Sequence, residues 1–410
     1  MVQAPMPRRQ FLTLVGNLTV AHTIGTISVL TLAAIAPVAA KAYGVPVYTI
    51  GYQASLIALG IIVALVFGGN LSLRWGATRV NQAGLLLVSL GAAGLSIPSL
   101  MTIGPASVSI GIGYGAMTPS ASHILIRFTP AHRRNVVFSF KQSGVPLGGA
   151  IAALLMPVIA LTAGWQWALW LVSVAALFMA LVIERWRVRW DDDREPATPL
   201  AANPLRAVAI IWQRRRLRLL AFAGAGIVAS QICMQSYTVA MFVEEMDVPL
   251  VEAGWILTVA QAGGVCGRLF WGWYADVRRD ALRVLAWLAA TLVFATLGIG
   301  TLAFGWPRPL VYLLFFVLGA TASGWNGAFL GEVARVAPPG QVSPATGGAL
   351  FFVNVSSVVA PIVFATAFSV FGRYSAAFAL LVLPAIIAFI CLRCAMQSAA
   401  APAGSAGAGR

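Results

Sequence analysis

Five side chains carry the chemistry in this sequence. Lys141 and Arg268 are charged groups set inside long apolar stretches, His22 and Tyr114 lie in two others, and Gln142 follows Lys141 directly. An ionisable group in hydrocarbon is costly, and by default it marks a site. An ammonium at Lys141, flanked by Gly144 and Gly148, suits a carboxylate or similar anion, with Gln142 as a second polar contact. Lys141 lies about 8 Å along the helix from Pro146, deep enough to face a cavity; its alternative is to snorkel to the headgroups. His22 can exchange a proton near neutral pH or serve as a packing histidine. No Asp or Glu occurs between Met1 and Ile183, so this half of the chain offers only cations and neutral hydrogen-bonding groups.

The second half has two acids within or beside apolar stretches, Asp276 and Glu332. Arg268 lies roughly 12 Å inward from Asp276 along one helix, too far to pair with it. Its two readings are an ion pair with Glu332 across helices eight and ten, or direct contact with substrate. Glu332 is also the leading candidate for proton coupling, with His22 as the other. Gln231 and Gln235 share a helix face at i, i+4 spacing, and with Trp325, Asn326 and Asn354 they complete a polar, aromatic-lined cavity. Interhelical bonding explains the two glutamines equally well. His123, one turn from Arg127, reads as structural.

The elements that position these groups follow from composition. The chain has 410 residues, 60% hydrophobic and 10% charged, and a mean hydropathy of +0.86; soluble domains carry about a quarter charged residues. At about 20 apolar residues per crossing, the runs predict twelve helices near 12–40, 50–71, 80–99, 103–126, 136–162, 165–184, 217–243, 250–273, 281–304, 309–334, 342–370 and 374–395. Of 27 Lys and Arg, only Lys41, Arg308 and Arg373 fall opposite the N-terminus in this topology, Lys141 and Arg268 lie inside helices, and the others share the terminus side. The positive-inside rule then places both termini in the cytoplasm. It also accounts for the net charge of +15 without nucleic acid. The opening Arg8-Arg9 resembles an export signal, but the following apolar stretch exceeds a secretory one. The four cysteines form no metal set, and no P-loop, zinc or Ser-His-Asp pattern occurs, so the reading is no enzyme, no metal and no cofactor.

The two halves repeat. Val45-Pro46 recurs as Val248-Pro249, Gly51 as Gly254 and Gly69 as Gly272 at an offset of 203; Gly111 recurs as Gly319, Arg127 as Arg335 and Gly164 as Gly372 at 208. Parallel repeats of six helices are related by an axis along the membrane normal. The segment Gly69-Asn70-Leu71-Ser72-Leu73-Arg74-Trp75-Gly76-Ala77-Thr78-Arg79 is similar to the G-x-L-x-D-R-x-G-R-R loop of the major facilitator superfamily, and the chain resembles that family over residues 10 to 395. Gly69, Arg74, Gly76 and Arg79 match, while Leu73 stands where the family has Asp. The resemblance implies a gating role for these residues and for Gly272 and Asp276, the acid surviving only in the second half. Gly144-Val145-Pro146-Leu147-Gly148-Gly149 is similar to the G-P-x-x-G-G core of the family's antiporters, implying that Gly144, Pro146, Gly148 and Gly149 bend the fifth helix. The arginine of the drug exporters' fourth helix is absent.

The expected architecture is all-α and polytopic: an N-terminal six-helix bundle over 1–184, a cytoplasmic linker over 185–216, a C-terminal six-helix bundle over 217–396 and a disordered tail over 397–410. The expected function is secondary transport by alternating access of a small organic anion, with proton symport or exchange, in the cell inner membrane, by a monomer and without nucleic acid. Proton-driven efflux of amphipathic drugs is the alternative, and a non-transporting sensor or scaffold is the alternative of another class.

Overall fold

Hydrocarbon cannot hydrogen-bond peptide groups, so each apolar run must satisfy its own backbone as a helix. The computed structural model describes residues 7–67, 70–130, 134–198, 204–278, 280–302, 305–339 and 341–400, and contains no strand among them. The first half comprises α1 (Arg8–Ala34), α2 (Ala36–Tyr43), α3 (Tyr52–Phe67), α4 (Leu71–Trp75), α5 (Ala77–Leu95), α6 (Leu100–Phe128), α7 (Arg134–Thr162) and α8 (Trp165–Trp190). A short helix, α9 (Pro204–Gln213), lies on the connection. The second half comprises α10 (Arg215–Glu244), α11 (Leu250–Arg278), α12 (Ala281–Gly300), α13 (Arg308–Ala322), α14 (Asn326–Val336), α15 (Val342–Phe371), α16 (Tyr374–Leu380) and α17 (Val382–Ala400).

Among the described residues, 11 helices are long and apolar enough to cross a membrane. The twelfth expected span is α5. Its Asn81 donates to Ser120 Oγ at 2.7 Å on α6, and Gln82 to the Ala180 carbonyl at 3.0 Å on α8. Polar groups matched inside a bundle lower hydropathy without making a helix unfit to span.

Boundaries differ from the expectation where hydropathy ends but helical geometry does not. The sixth helix continues past 184 to Trp190, helped by the i, i+3 pair of Glu184 and Arg187 at 2.7 Å. The last helix continues past 396 to Ala400, with Ser398 donating to the Cys394 carbonyl. Residues 401–410 of the expected tail lie outside the described residues. The tenth expected helix is broken at Ser323-Gly324-Trp325.

The repeat is built into helix crossings. A Cβ on Gly111 would stand 2.1 Å from the Ile57 carbonyl oxygen, and one on Gly319 would stand 1.7 Å from that of Ala260. Ile57 and Ala260 are themselves related by the 203 offset. α6 therefore crosses α3 as α13 crosses α11, backbone against backbone, where only glycine fits.

At the terminus side of the first half, Leu73 leaves the loop without its expected acid, and the connection supplies one. Buried Asp191 accepts from the Thr78 and Arg79 backbone N–H groups at 2.7 and 3.0 Å, capping the N-terminus of α5. Gly76 has φ +96, and a Cβ there would lie 2.4 Å from the Asp191 carboxyl carbon. Asp193 pairs with Arg127 at 2.7 Å and with His123 at 2.7 Å, so the structural reading of His123 matches its position. Loss of such a cap costs about 0.5–2 kcal/mol. Asp191→Ala is expected to lower the thermal midpoint by a few degrees, and Asp191→Asn by less, in unfolding scans of purified protein.

Candidate functional site

The two halves meet along α7 and α11, which run antiparallel. Both prolines of α7 serve this seam. Proline lacks an N–H, so Pro146 leaves the Gln142 carbonyl without its intrahelical donor, and Pro157 does the same for Ala153. Arg268 Nη1 donates to the Gln142 carbonyl at 3.1 Å. Gly254 packs on the Ala153 carbonyl, where a Cβ would come within 2.3 Å of the oxygen. Between these two contacts the Gln261 amide rests on Gly149, whose missing Cβ would overlap it at 1.6 Å. Gln261 is 1% exposed, and neither amide atom has a hydrogen-bond partner.

Gly144 and Gly148 face α1, with Cβ positions 2.8 Å from the Thr19 carbonyl oxygen and 2.5 Å from that of Thr23. α7 is one continuous helix through Pro146. The glycines therefore admit α1 on one face and Gln261 on the other, and the proline exposes a carbonyl.

Three helices bring the first-half site residues together, and α11 of the second half adds Arg268. Lys141 is 1% exposed, and its Nζ lies 3.3 Å from His22 Nε2 and 3.3 Å from Gln142 Oε1. It points into the bundle, away from the protein surface. The His22 ring lies 5.1 Å from that of Tyr114 on α6, and Thr26 donates to the Tyr114 hydroxyl at 3.3 Å. Arg268, from α11, is near enough to act electrostatically on both His22 and Lys141.

Arg268 has a second anchor. Its Nε donates to the Ser323 carbonyl at 3.1 Å, at the break between α13 and α14. A helix break frees carbonyls that need donors, and a guanidinium has its donors fanned to serve two at once. Two residues on, Trp325 is 2% exposed and donates from Nε1 to Gln231 Oε1 on α10 at 3.0 Å. Broken helices meeting at the centre of a bundle are the usual frame of a transport site.

The expected Arg268–Glu332 ion pair does not form. Glu332 instead holds Arg335 bidentately at 2.6 and 2.7 Å and Arg216 at 3.5 Å, toward the terminus side. It lies nine residues beyond Ser323, so the chain direction that offered Arg268 a partner put that partner too far along the bundle. Asn354 donates to the Leu350 carbonyl of its own helix at 2.8 Å; Gln235, one turn from Gln231, and Asn326, next to Trp325 in the chain, are half-buried and extend the Gln231–Trp325 pair into a second polar cluster. Of the gating residues, Arg74 reaches the Thr198 carbonyl at 3.4 Å and Arg79 reaches Glu184 at 3.4 Å. Gly272 has open space beside it, so no close helix approach occurs there. Gly69 and the Asp276 side chain lie outside the described residues.

Sequence reasoning missed Gln261, Thr26, Asp191 and the break at Ser323–Trp325. Pro146 and Pro157 were the available signal for orphaned carbonyls four residues before them. Toward the ends opposite the termini, the halves also touch through Tyr48 and Phe368, with ring centroids 5.0 Å apart, and through Gly51, which packs on Tyr237.

Two six-helix halves around a central polar cluster, with a broken helix beside it, define a multi-pass membrane transporter fold. The Major Facilitator Superfamily matches residues 18–342, and the chain belongs to that family. Its relatives are transporters and not enzymes. It is 25% identical over 265 residues to an uncharacterized MFS-type transporter of Mycobacterium tuberculosis, covering 62% of this chain and 57% of that one. It is 25% identical to the 3-(3-hydroxy-phenyl)propionate transporter of Escherichia coli over 64% of each chain. The gentisate transporter of Corynebacterium glutamicum is also 25% identical, over 78% of this chain and 73% of the relative. The matched segment thus spans less than two thirds of the first two. A niacin transporter of Acinetobacter baylyi is 27% identical over a third of the chain. Among solved structures, a bacterial homologue of the lysosomal transporter Spinster, in an inward-facing and unoccupied conformation, has a TM-score of 0.72 at 14% identity, covering 98% of this chain and all of that one. A D-xylose–proton symporter has a TM-score of 0.74 at 12% identity, covering 94% and 97%.

Proposed function

We propose that this protein is a secondary transporter of small organic anions, moving them by alternating access between its halves. The observation that carries this reading is the central cluster of Lys141, Arg268 and His22, in which neither Lys141 nor Arg268 forms an ion pair with a carboxylate among the described residues. Buried cations held only by carbonyls, an amide and an imidazole are poorly compensated, and a carboxylate is the acceptor they lack. A carboxylate offers the guanidinium an opposite charge and a bidentate acceptor that a single neutral carbonyl does not, so an entering anion draws Arg268 from the Gln142 carbonyl. That bond crosses the seam, so substrate binding loosens the contact between the halves. Return of Arg268 to the two carbonyls follows release on the other side.

The transporters of gentisate, 3-(3-hydroxyphenyl)propionate and niacin among the relatives support an aromatic monocarboxylate as the substrate class. Tyr114 and Trp325 supply flat apolar faces, and Gln142, Gln231, Gln235, Asn326 and Asn354 supply neutral polar groups around the cations. Proton symport or exchange drives the cycle, since the chain carries no nucleotide-binding motif. The distribution of Lys and Arg supports a cell inner membrane setting with both termini cytoplasmic, and one chain holds a complete site.

The test is uptake of labelled gentisate, 3-(3-hydroxyphenyl)propionate and nicotinate into proteoliposomes. Lys141→Ala is expected to lower uptake at least tenfold for every acid the wild-type protein carries. Undiminished uptake by the variant would remove Lys141 from the site.

A further inference from the structure

Among the described residues, the titratable groups gathered around Lys141 are bases and a phenol: His22 on α1, Tyr114 on α6 and Arg268 on α11. The acid nearest in sequence to the second cluster, Glu332, is already held by Arg335 and Arg216. Building on the anion reading above, we infer that the proton carrier of the transport cycle is the His22–Lys141 pair, which takes up one proton when a carboxylate enters and gives it back when the carboxylate leaves.

Lys141 Nζ and His22 Nε2 share a hydrogen bond at 3.3 Å, and in the proposed cycle Lys141 is its donor while the site is empty. An ammonium at this distance donates to Nε2, which must then carry a lone pair, so the ring proton sits on Nδ1. A second proton on the ring would face Lys141 across the same gap with Arg268 close by, an arrangement like charges oppose at low dielectric. The pair therefore holds one positive charge while the site is empty. A carboxylate placed between Lys141 and Arg268 changes both conditions. Lys141 turns its N–H to the carboxylate oxygen, the Nε2 lone pair loses its donor, and the anion's charge offsets that of a new imidazolium. Nε2 then binds a proton from the water through which the substrate entered.

The balance is one monoanion and one proton in, and the same two out on the far side, after which Lys141 returns to Nε2. The carried unit is electrically neutral. Tyr114 lies against the ring and fixes its plane, so it positions His22 and exchanges no proton itself. This arrangement accounts for a first half with no acid before Glu184, because a base that binds its proton only with the anion performs the coupling a carboxylate would otherwise supply.

The test uses proteoliposomes with a trapped pH indicator and labelled gentisate or nicotinate. Wild-type protein is expected to move one proton per anion and to accumulate the anion against its gradient when the outside is acid. His22→Gln is expected to lower this accumulation at least tenfold more than it lowers counterflow, and to bring the proton-to-anion ratio toward zero. An unchanged ratio and unchanged accumulation in His22→Gln would overturn the inference. Should that variant fail to fold, nitrogen NMR of the wild-type histidines decides, with His123→Gln and His132→Gln assigning the signals. The His22 signal is expected to pass from neutral to imidazolium on adding gentisate; a His22 signal that stays neutral in the bound state overturns the coupling while leaving the anion reading intact. Failure of the wild-type protein to bind any of the acids would instead remove the anion reading itself.

Discussion

Replacing Arg268 by alanine is expected to abolish concentrative uptake of aromatic acids in proteoliposomes while leaving a folded, monodisperse protein. Removing one partner of a buried hydrogen-bonded charge pair costs about 2–5 kcal/mol, roughly 30-fold to several-thousand-fold in affinity. The same side chain also bridges the Gln142 and Ser323 carbonyls, so its loss removes both the anion contact and the bond between the halves. The fold survives because the crossings at Gly111 and Gly319 and the cap from Asp191 lie elsewhere. Arg268→Lys keeps the charge but lacks the guanidinium fork that serves two acceptors at once, and it is expected to retain a small fraction of the uptake. Full uptake by Arg268→Ala, measured on protein of normal thermal midpoint, would place the anion elsewhere.

The largest effect on stability is expected at Gly319. A valine there directs its Cβ into the Ala260 carbonyl oxygen, 1.7 Å away. That neighbour is backbone and cannot rotate aside, so the cost exceeds the roughly 1–3 kcal/mol typical of core overpacking. Gly319→Val is expected to yield no monodisperse protein by size-exclusion chromatography, and Gly111→Val to fail in the same way. Gly347, beside which a Cβ meets open space, is the control: Gly347→Ala is expected to purify like wild type. Survival of Gly319→Val with a normal melting curve would mean that α13 and α11 do not cross as described.

Much of this architecture was legible because membrane insertion writes itself into hydropathy and charge placement. The 203 and 208 offsets read as two parallel halves, and the structure adds matched crossings at Gly111 on Ile57 and Gly319 on Ala260. His22, Tyr114, Lys141, Gln142 and Arg268 stood out as single residues because polar groups are conspicuous in apolar runs. Their grouping was not legible, since it depends on how α1, α6, α7 and α11 are rotated about their axes, which a spacing of residues along one helix does not state. The Arg268–Glu332 pairing failed for a different reason: Arg268 is anchored at Ser323, and Glu332 lies nine residues farther along the bundle, where Arg335 holds it. The break at Ser323–Trp325 lay hidden inside a continuous apolar run, and nothing along its own helix marks Gln261, which is set apart only by its contact with Gly149 on α7.

Nicotinate and nicotinamide have nearly the same shape and differ at the group this account depends on, a carboxylate against a neutral amide. Their uptake into proteoliposomes, compared side by side under an inward acid gradient, tests the central claim most directly. The cationic cluster of Lys141, His22 and Arg268 predicts concentrative uptake of nicotinate and at least a tenfold lower rate for nicotinamide. Equal transport of the two, or a preference for nicotinamide, would contradict an anion site at the centre of this protein.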